Sequence, residues 1–555
     1  MSVLYFFLLV GVLVVIHELG HFVAAKLLDV KVLRFSLGYG RPLVRVTLGE
    51  TEYQLCLFPI GGYVRILGIE GELAAPGAKR AEPGRSFASR PLWQRLAIVL
   101  AGPAANLVLP VIIYFAFYAG HTMVGGPVIG DVLEGGVAAS AGLEPGDRVL
   151  EIDNSGVRYW EEIEHRVQSA AGKELHVRLS RSGKVIERYL TPIEEAVWSK
   201  ERDGKSTLQG RVGITYAPFV PLVGVSDAQS PAAAAGLRTH DLVISIDGQP
   251  VRNWSDVQRR LGKLARRTSL VYFRGSELPG VPQVELLSPG FADVVPTTQV
   301  DDKLSRASYT GIEHAEMFVA HVDPGSPADG AGLKPGDLIV ALDDQPVAHW
   351  LDLDQRLQAQ PTKTFKVTWK RAVPNGATQT MTAELTQVWR QELDEYDHTI
   401  TRLVFGAHND VDRGTGAMTP VEGRVGYALG KSIERTGDTI RTMIGGFFQI
   451  LSGDTPSDAL GGPLMTYRLA EVSGNRGWDS FWLMIALISI NLGLINLLPI
   501  PMLDGGHLLV FALEAARRKP LSATARVRVQ HIGLAVIVLI TILASRNDVM
   551  RYVIK

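Results

Sequence analysis

Three long apolar runs, at 3–28, 96–119 and 481–499, restrict this chain more than any other feature. Each holds about the 20 residues that an α-helix needs to cross a hydrocarbon core. In lipid the backbone has no water to bond, so a segment outside a closed barrel must cross as a helix. A shorter run at 532–543 reaches that length only if its flanks join the span. The first run lacks a basic n-region and a small-residue cleavage site, so it reads as a retained helix rather than a secretory signal. Lys and Arg crowd the segments 29–95 and 517–528. The positive-inside rule puts both in the cytoplasm. Four spans then leave both termini and the long middle region on the outer side.

Polar residues at membrane depth are costly and mark function. Yet the first run contains His17, Glu18 and His21, in "VIHELGHFVA". Residues four apart share a helix face, so the two imidazoles are able to hold one zinc ion at about 2.0–2.1 Å. Glu18 projects between them, placed to take a proton from water on the metal rather than to ligate. A catalytic zinc takes a third protein ligand. In "INLLPIPMLDGGHLL", Asp504 follows the third apolar run near the inner face, the depth expected of His17. Pro499 and Pro501 interrupt the helix before it, and Gly505 and Gly506 allow a tight turn that aims the carboxylate. The single cysteine, Cys56, excludes an intrachain disulfide and a four-cysteine zinc site. Lys plus Arg (56) balance Asp plus Glu (57), so nothing points to a nucleic-acid partner.

The middle region, from about 121 to 478, holds no spanning segment and repeats itself. "VAASAGLEPGDRVLEIDN", "SPAAAAGLRTHDLVISIDG" and "SPADGAGLKPGDLIVALDD" are each followed by a tryptophan: Trp160, Trp254 and Trp350 lie 18 positions after Gly142, Gly236 and Gly332. Each unit reads as a short glycine-ended helix, a turn, a strand entering a hairpin, and a second helix. The pattern resembles the PDZ domain in its bacterial protease-associated form, less closely in the second unit, where "RTHD" replaces the proline-glycine turn. That resemblance implies grooves that take peptide ends by strand addition; the alternative is spacers or a size filter. The stretch 275–305 reads as a linker or insertion.

HExxH, "FPIGGYVRILG", "AGPAANL" and "NLLPIPMLDGG" together resemble the site-2 protease family of zinc-dependent intramembrane proteases, over nearly the whole chain. The resemblance implies Zn2+ held by His17, His21 and Asp504, with Glu18 as catalytic base and Asn496 at the substrate. The familiar bacterial form has two PDZ domains, whereas this chain has three such repeats. "TEYQLCLFPIGGYVRIL" reads as a membrane-associated β-hairpin turning at Gly61–Gly62, with an edge for an unwound substrate. Asn106 reads as structural, His507 and His531 as interfacial, and the segment from Thr442 as amphipathic on the outer membrane surface.

The expected fold is a multi-pass α-helical membrane protein with about four spans, a membrane-associated β-hairpin, and three α+β PDZ-like domains between the second and third spans. The expected divisions are 1–120 for the first two spans; 121–198, 199–290 and 291–390 for the repeats; 391–478 for a linker with an amphipathic segment; and 479–555 for the last two spans. The expected partners are the lipid bilayer, single-pass transmembrane substrates (anti-sigma-factor-like proteins or signal-peptide remnants) and peptide ends at the repeats, in a bacterial inner membrane. Two other readings stay open: a membrane-anchored PDZ scaffold or chaperone with a vestigial metal site, and an interfacial zinc peptidase using Glu50 or Glu52 as third ligand.

Overall fold

The computed structural model describes residues 2–68, 84–133, 135–198, 206–261, 266–277, 285–300, 306–373, 377–393, 399–409, 411, 413–453, 461–517 and 522–552. The chain divides into two compact units, one of 1–122, 393–399 and 421–555, the other of 123–392 and 400–420.

The first unit begins with helix α1 (Ser2–Leu27), strands β1 (Val32–Leu48) and β2 (Thr51–Ile66), and helix α2 (Leu92–Gly120). Helices α1 and α2 approach closely because Gly20 faces Ala101 and Ala105; a Cβ at Gly20 would overlap the Ala101 carbonyl. In lipid, where helix pairs gain nothing from hiding apolar surface from water, such small residues let backbones pack. Strands β1 and β2 both fold back, so the pair forms four segments: 34–37 runs antiparallel to 62–65 on one side, with Phe35 facing Val64, and parallel to 52–55 on the other, with Phe35 facing Tyr53, and Tyr53 also faces Val46 in an antiparallel pair. The reversal lies between the paired Leu48 and Thr51, with Gly49 at φ +62°. Gly61 and Gly62 close a second reversal, between Cys56 and Gly62, where the sequence indicates a turn. They lie within β2, with Gly62 facing Leu37. Gly61 has φ +105°, and a Cβ there would enter the Tyr39 ring. These glycines serve close approach as well as chain reversal.

The second unit holds three sheets of one design. In chain order its helices are α3 (Val137–Ser140), α4 (Trp160–Ser169), α5 (Pro231–Ala234), α6 (Trp254–Leu261), α7 (Pro327–Gly330) and α8 (Trp350–Ala359). Each sheet has four antiparallel strands in the same relative order; the first uses Ser155–Gly156, Arg148–Ile152, Leu175–Arg181 and Lys184–Leu190. Helix α4 buries Trp160, Ile163 and Val167, one face at helical spacing, and α6 and α8 do the same with Trp254, Val257, Leu261 and Trp350, Leu353, Leu357. One clasp recurs in all three. Arg181, Arg274 and Arg371 each grip a carboxylate that is 1% exposed, Asp147, Asp241 and Asp337, through two nitrogens at 2.7–2.8 Å. Each also donates to the carbonyl of the repeat glycine, Gly142, Gly236 or Gly332. The bidentate fork suits a desolvated carboxylate.

The repeats end later than the sequence divisions at 198 and 290. Val212 belongs to the core around Trp160, and Ile312 packs on the core around Trp254. Thr215 pairs with Asp131, and His314 with Val223. The chain first makes an extra hairpin, Ile193–Trp198 with Ser206–Arg211 and then Thr297–Val300 with Arg306–Tyr309, before returning to close each core. The stretch 275–305, read as a linker, instead contributes strand Glu285–Val294 and half of the second hairpin.

The first unit resumes with α9 (Arg424–Ser452), α10 (Pro463–Asn475), α11 (Trp478–Leu497), α12 (Asp504–Arg517) and α13 (Ala523–Tyr552). The amphipathic segment from Thr442 is the second half of α9, whose first turn packs on α2 through Tyr427 and Tyr118. Asp548 of α13, 2% exposed, accepts from the backbone N–H of Gly462, Leu464 and Met465 and so caps α10. Among the described residues, four helices are long and apolar enough to cross a membrane: α1, α2, α11 and Arg528–Tyr552 of α13. The marginal fourth run does gain its length from its flanks.

Candidate metal centre

His17 and His21 stand one turn apart on α1, with side chains 12% and 13% exposed. Their Nε2 atoms are 3.3 Å apart. Asp504 Oδ2 lies 3.2 Å from the first and 3.5 Å from the second. Donors at about 2.0–2.1 Å from a tetrahedral zinc stand about 3.3–3.4 Å from each other. The three separations match one face of such a tetrahedron. Among the described residues no other group of His, Cys, Asp and Glu brings three donors this close.

The local chain explains the arrangement. Helix α11 stops at Leu497, the segment 498–503 turns back through Leu503 N–H to the Ile500 carbonyl, and α12 starts on Asp504 itself. Met502 sits at φ +89°, a strained conformation for a residue with a side chain. Gly505 and Gly506 press against the carbonyls of Leu497, Leu498 and Ile500, leaving no room for a Cβ. Thus Pro499, Pro501 and the glycine pair fold the carboxylate back toward α1.

The second ring nitrogens are also held. His21 Nδ1–H donates to the Ile98 carbonyl at 2.8 Å, which turns the lone pair of Nε2 to the centre. His17 Nδ1 lies 3.2 Å from the amide of Asn106 and 3.5 Å from that of Asn496. Asn106 is fully buried, and its backbone carbonyl accepts from Ser489 Oγ at 2.7 Å. Glu18 accepts from the Val64 backbone N–H, and a Cβ on Gly62 would lie 3.6 Å from its Cγ. Tyr39 Oη donates to the Gly62 carbonyl at 3.0 Å. A cavity of 890 Å³ joins these groups; His17, Glu18, His21, Gly62, Asn496 and Asp504 all line it.

Glu50 and Glu52 lie elsewhere in salt bridges. Glu50 pairs with Lys26 and Arg85, each at 2.7 Å, and Glu52 pairs with Arg34 and Arg45 at 2.7 and 2.8 Å. Arg85 and then Lys26 hold the Glu50 carboxyl down at about 2. Asn106, read as structural, and His507, read as interfacial, both reach the site or its cavity, as does Tyr39, which the sequence did not single out. Asn106 carried a signal as a polar residue in an apolar span, and His507 as a near neighbour of Asp504.

A family model described as Peptidase family M50 matches residues 5–540. The chain belongs to this family and is a metalloendopeptidase of the site-2 protease type. A protein of Neisseria meningitidis serogroup A, provisionally named a zinc metalloprotease, is 30% identical over 99% of both chains. The regulator of sigma-E protease RseP of Salmonella typhimurium is 25% identical over 98% of both. A solved PDZ domain protein from Parabacteroides distasonis covers 47% of this chain and 96% of its own, with 11% identity and a TM-score of 0.12.

Proposed function

We propose that this protein is a zinc endopeptidase that cuts the transmembrane segment of single-pass membrane proteins, with His17, His21 and Asp504 as ligands and Glu18 as general base. One observation carries the reading: three donors at tetrahedral spacing beside a glutamate that is not one of them, with both histidines and the glutamate on a helix apolar enough to cross a bilayer. Zinc, when bound, supplies Lewis acidity that favours ionised water and polarises a carbonyl. Glu18 takes a proton from the attacking water, whose oxygen bonds to the scissile carbonyl carbon. As the C–N bond breaks, Glu18 passes that proton to the leaving nitrogen. Asn496, half-buried on the cavity wall, is placed to donate to substrate backbone. Gly61 and Gly62 let β2 run against Tyr39 and Glu18, so an unwound substrate lies beside that strand.

The three repeats are PDZ-like domains in this reading, on the outer side of a bacterial inner membrane, where they select substrates by size or by an exposed end after a first cut elsewhere. Their common strand order supports one domain type. The loop charges support the orientation. A scaffold with a vestigial site has no use for the triangle, and a peptidase using Glu50 or Glu52 would have to break their salt bridges. The test is cleavage of a single-pass substrate in vesicles by wild type and Glu18→Gln. Wild type should cut, and the variant should retain zinc but not cut. Equal behaviour of the two would leave the scaffold standing.

A further inference from the structure

The cavity continues past the candidate ligands toward the N-terminal end of α2, where Arg95, His507, Phe511, Glu514 and Gln530 line it. Among the described residues, Arg95 is the sole Lys or Arg that lines it. The guanidinium lies over the Phe511 ring at 5.0 Å, and Nε is shut off from water with no hydrogen-bond partner. Arg95 makes no ion pair among the described residues, although Glu514 shares the cavity. Its neighbours differ: Arg85 pairs with Glu50 and Asp29, and Arg90 with Asp29.

We propose that Arg95 is a specificity residue for the proteolytic reaction, binding a carboxylate of the substrate two to four residues from the bond that is cut. The inference rests on the endopeptidase reading above. The position follows from helix geometry. Ile98, whose carbonyl holds His21, stands three residues further along α2, a rise of about 4.5 Å. Helical side chains lean toward the N-terminus, which carries the guanidinium further from the centre. An extended substrate advances about 3.3 Å per residue, so the offset spans two to four residues. The chemistry follows from the side chain. Arginine stays charged when desolvated, and a guanidinium stacked on an aromatic ring presents its fork with little further ordering. The same group could instead meet a lipid phosphate, but it faces a cavity continuous with the candidate active site.

The test uses the full chain in zwitterionic lipid vesicles and a single-pass substrate with Ala at each position flanking the cut, replaced one at a time by Asp or Lys. The readout is the ratio of kcat/KM for the charged over the Ala substrate, in wild type, Arg95→Gln and Arg95→Glu, with zinc content measured in each. In wild type, Asp at one position in the two-to-four window should raise the ratio roughly tenfold or more. Arg95→Gln should bring it near one, and Arg95→Glu should favour Lys at that position. A ratio near one throughout in wild type, or an Asp preference that survives in Arg95→Gln, overturns the proposal. So does a loss in Arg95→Gln that is equal for every substrate, the behaviour of an arginine that only anchors to lipid. Failure of wild type to cut any substrate would overturn the endopeptidase reading, and this one with it.

Discussion

Adding one methyl group at Gly102 should remove the metal from this protein. Gly102 is buried on α2 against the His21 ring. A Cβ there would overlap His21 Nε2, its nearest neighbour, and stand 2.6 Å from Cε1 and 2.8 Å from Cδ2, whereas ordinary contact begins near 3.4 Å. The ring must therefore withdraw by more than about 0.8 Å, or α1 and α2 must part by as much. Metal–ligand distances hold to about ±0.2 Å, so the displacement is at least about four times what the centre tolerates. It also pulls Nδ1 from the Ile98 carbonyl. Gly102→Ala should weaken zinc at least about 100-fold, roughly 2.7 kcal/mol, by competition with a chelator on purified full-length protein. Gly11→Ala, with nothing within 4 Å of the new atom, is the control and should bind as wild type does. Zinc affinity within twofold of wild type in Gly102→Ala would refute the placement of His21 as a ligand.

Three further outcomes are expected. With Nε2 of His17 on a metal, Nδ1 carries the proton, and Asn106 accepts it after a half-turn of an amide whose two ends have the same shape. Asn106→Leu should then weaken zinc about 10- to 100-fold and Asn106→Asp should not; equal affinities for all three proteins would dismiss the contact. Arg371→Met strands the Asp337 carboxylate, and should destabilise the third repeat by about 3 kcal/mol, the low end for a buried pair because Arg371 is one-fifth exposed. Hydrogen exchange at strand Leu338–Leu342 reads this; unchanged protection contradicts it. His314 packs against Phe219 and Trp254 with ring centroids 4.7 and 4.8 Å away and the rings tilted, and burial holds its pKa down at about 4, with Glu316 opposing and His349 adding to the shift. The folded state thus takes up its proton later than the unfolded chain. Its contribution is complete above about pH 6.5 and falls away, by up to about 3 kcal/mol, as pH drops through 4. Exchange at α6, taken relative to the intrinsic rate at each pH, should rise more steeply from pH 7 down to 4.5 in wild type than in His314→Phe, and parallel profiles would contradict this.

Spans and candidate ligands were readable in the sequence because the bilayer leaves few options. An unpaired His or Asp in an apolar run demands a reason, and loop charge alone put Asp504 at the depth of His17. What stayed hidden depends on partners far along the chain. Asn106 meets His17 across 89 residues, and nothing local distinguishes it from a helix-packing asparagine. The fold-back at Gly61–Gly62 was legible, but its two arms flank residues 34–37 instead of pairing with each other, which only the register shows. Each repeat closes on a strand delivered after an extra hairpin, so Val212 and Ile312 seemed to belong to the next unit. The clasp arginines follow their aspartates by 33 or 34 residues, and only the sheet register joins them.

The most direct measurement is zinc content and zinc-edge X-ray absorption of the purified full chain, compared with Asp504→Asn and Glu50→Gln. One zinc per chain, with two imidazole nitrogens and a carboxylate oxygen at about 2.0–2.2 Å, lost in Asp504→Asn and kept in Glu50→Gln, is the predicted result. A wild-type chain that binds no zinc, or an Asp504→Asn chain that holds it as tightly, would contradict the account.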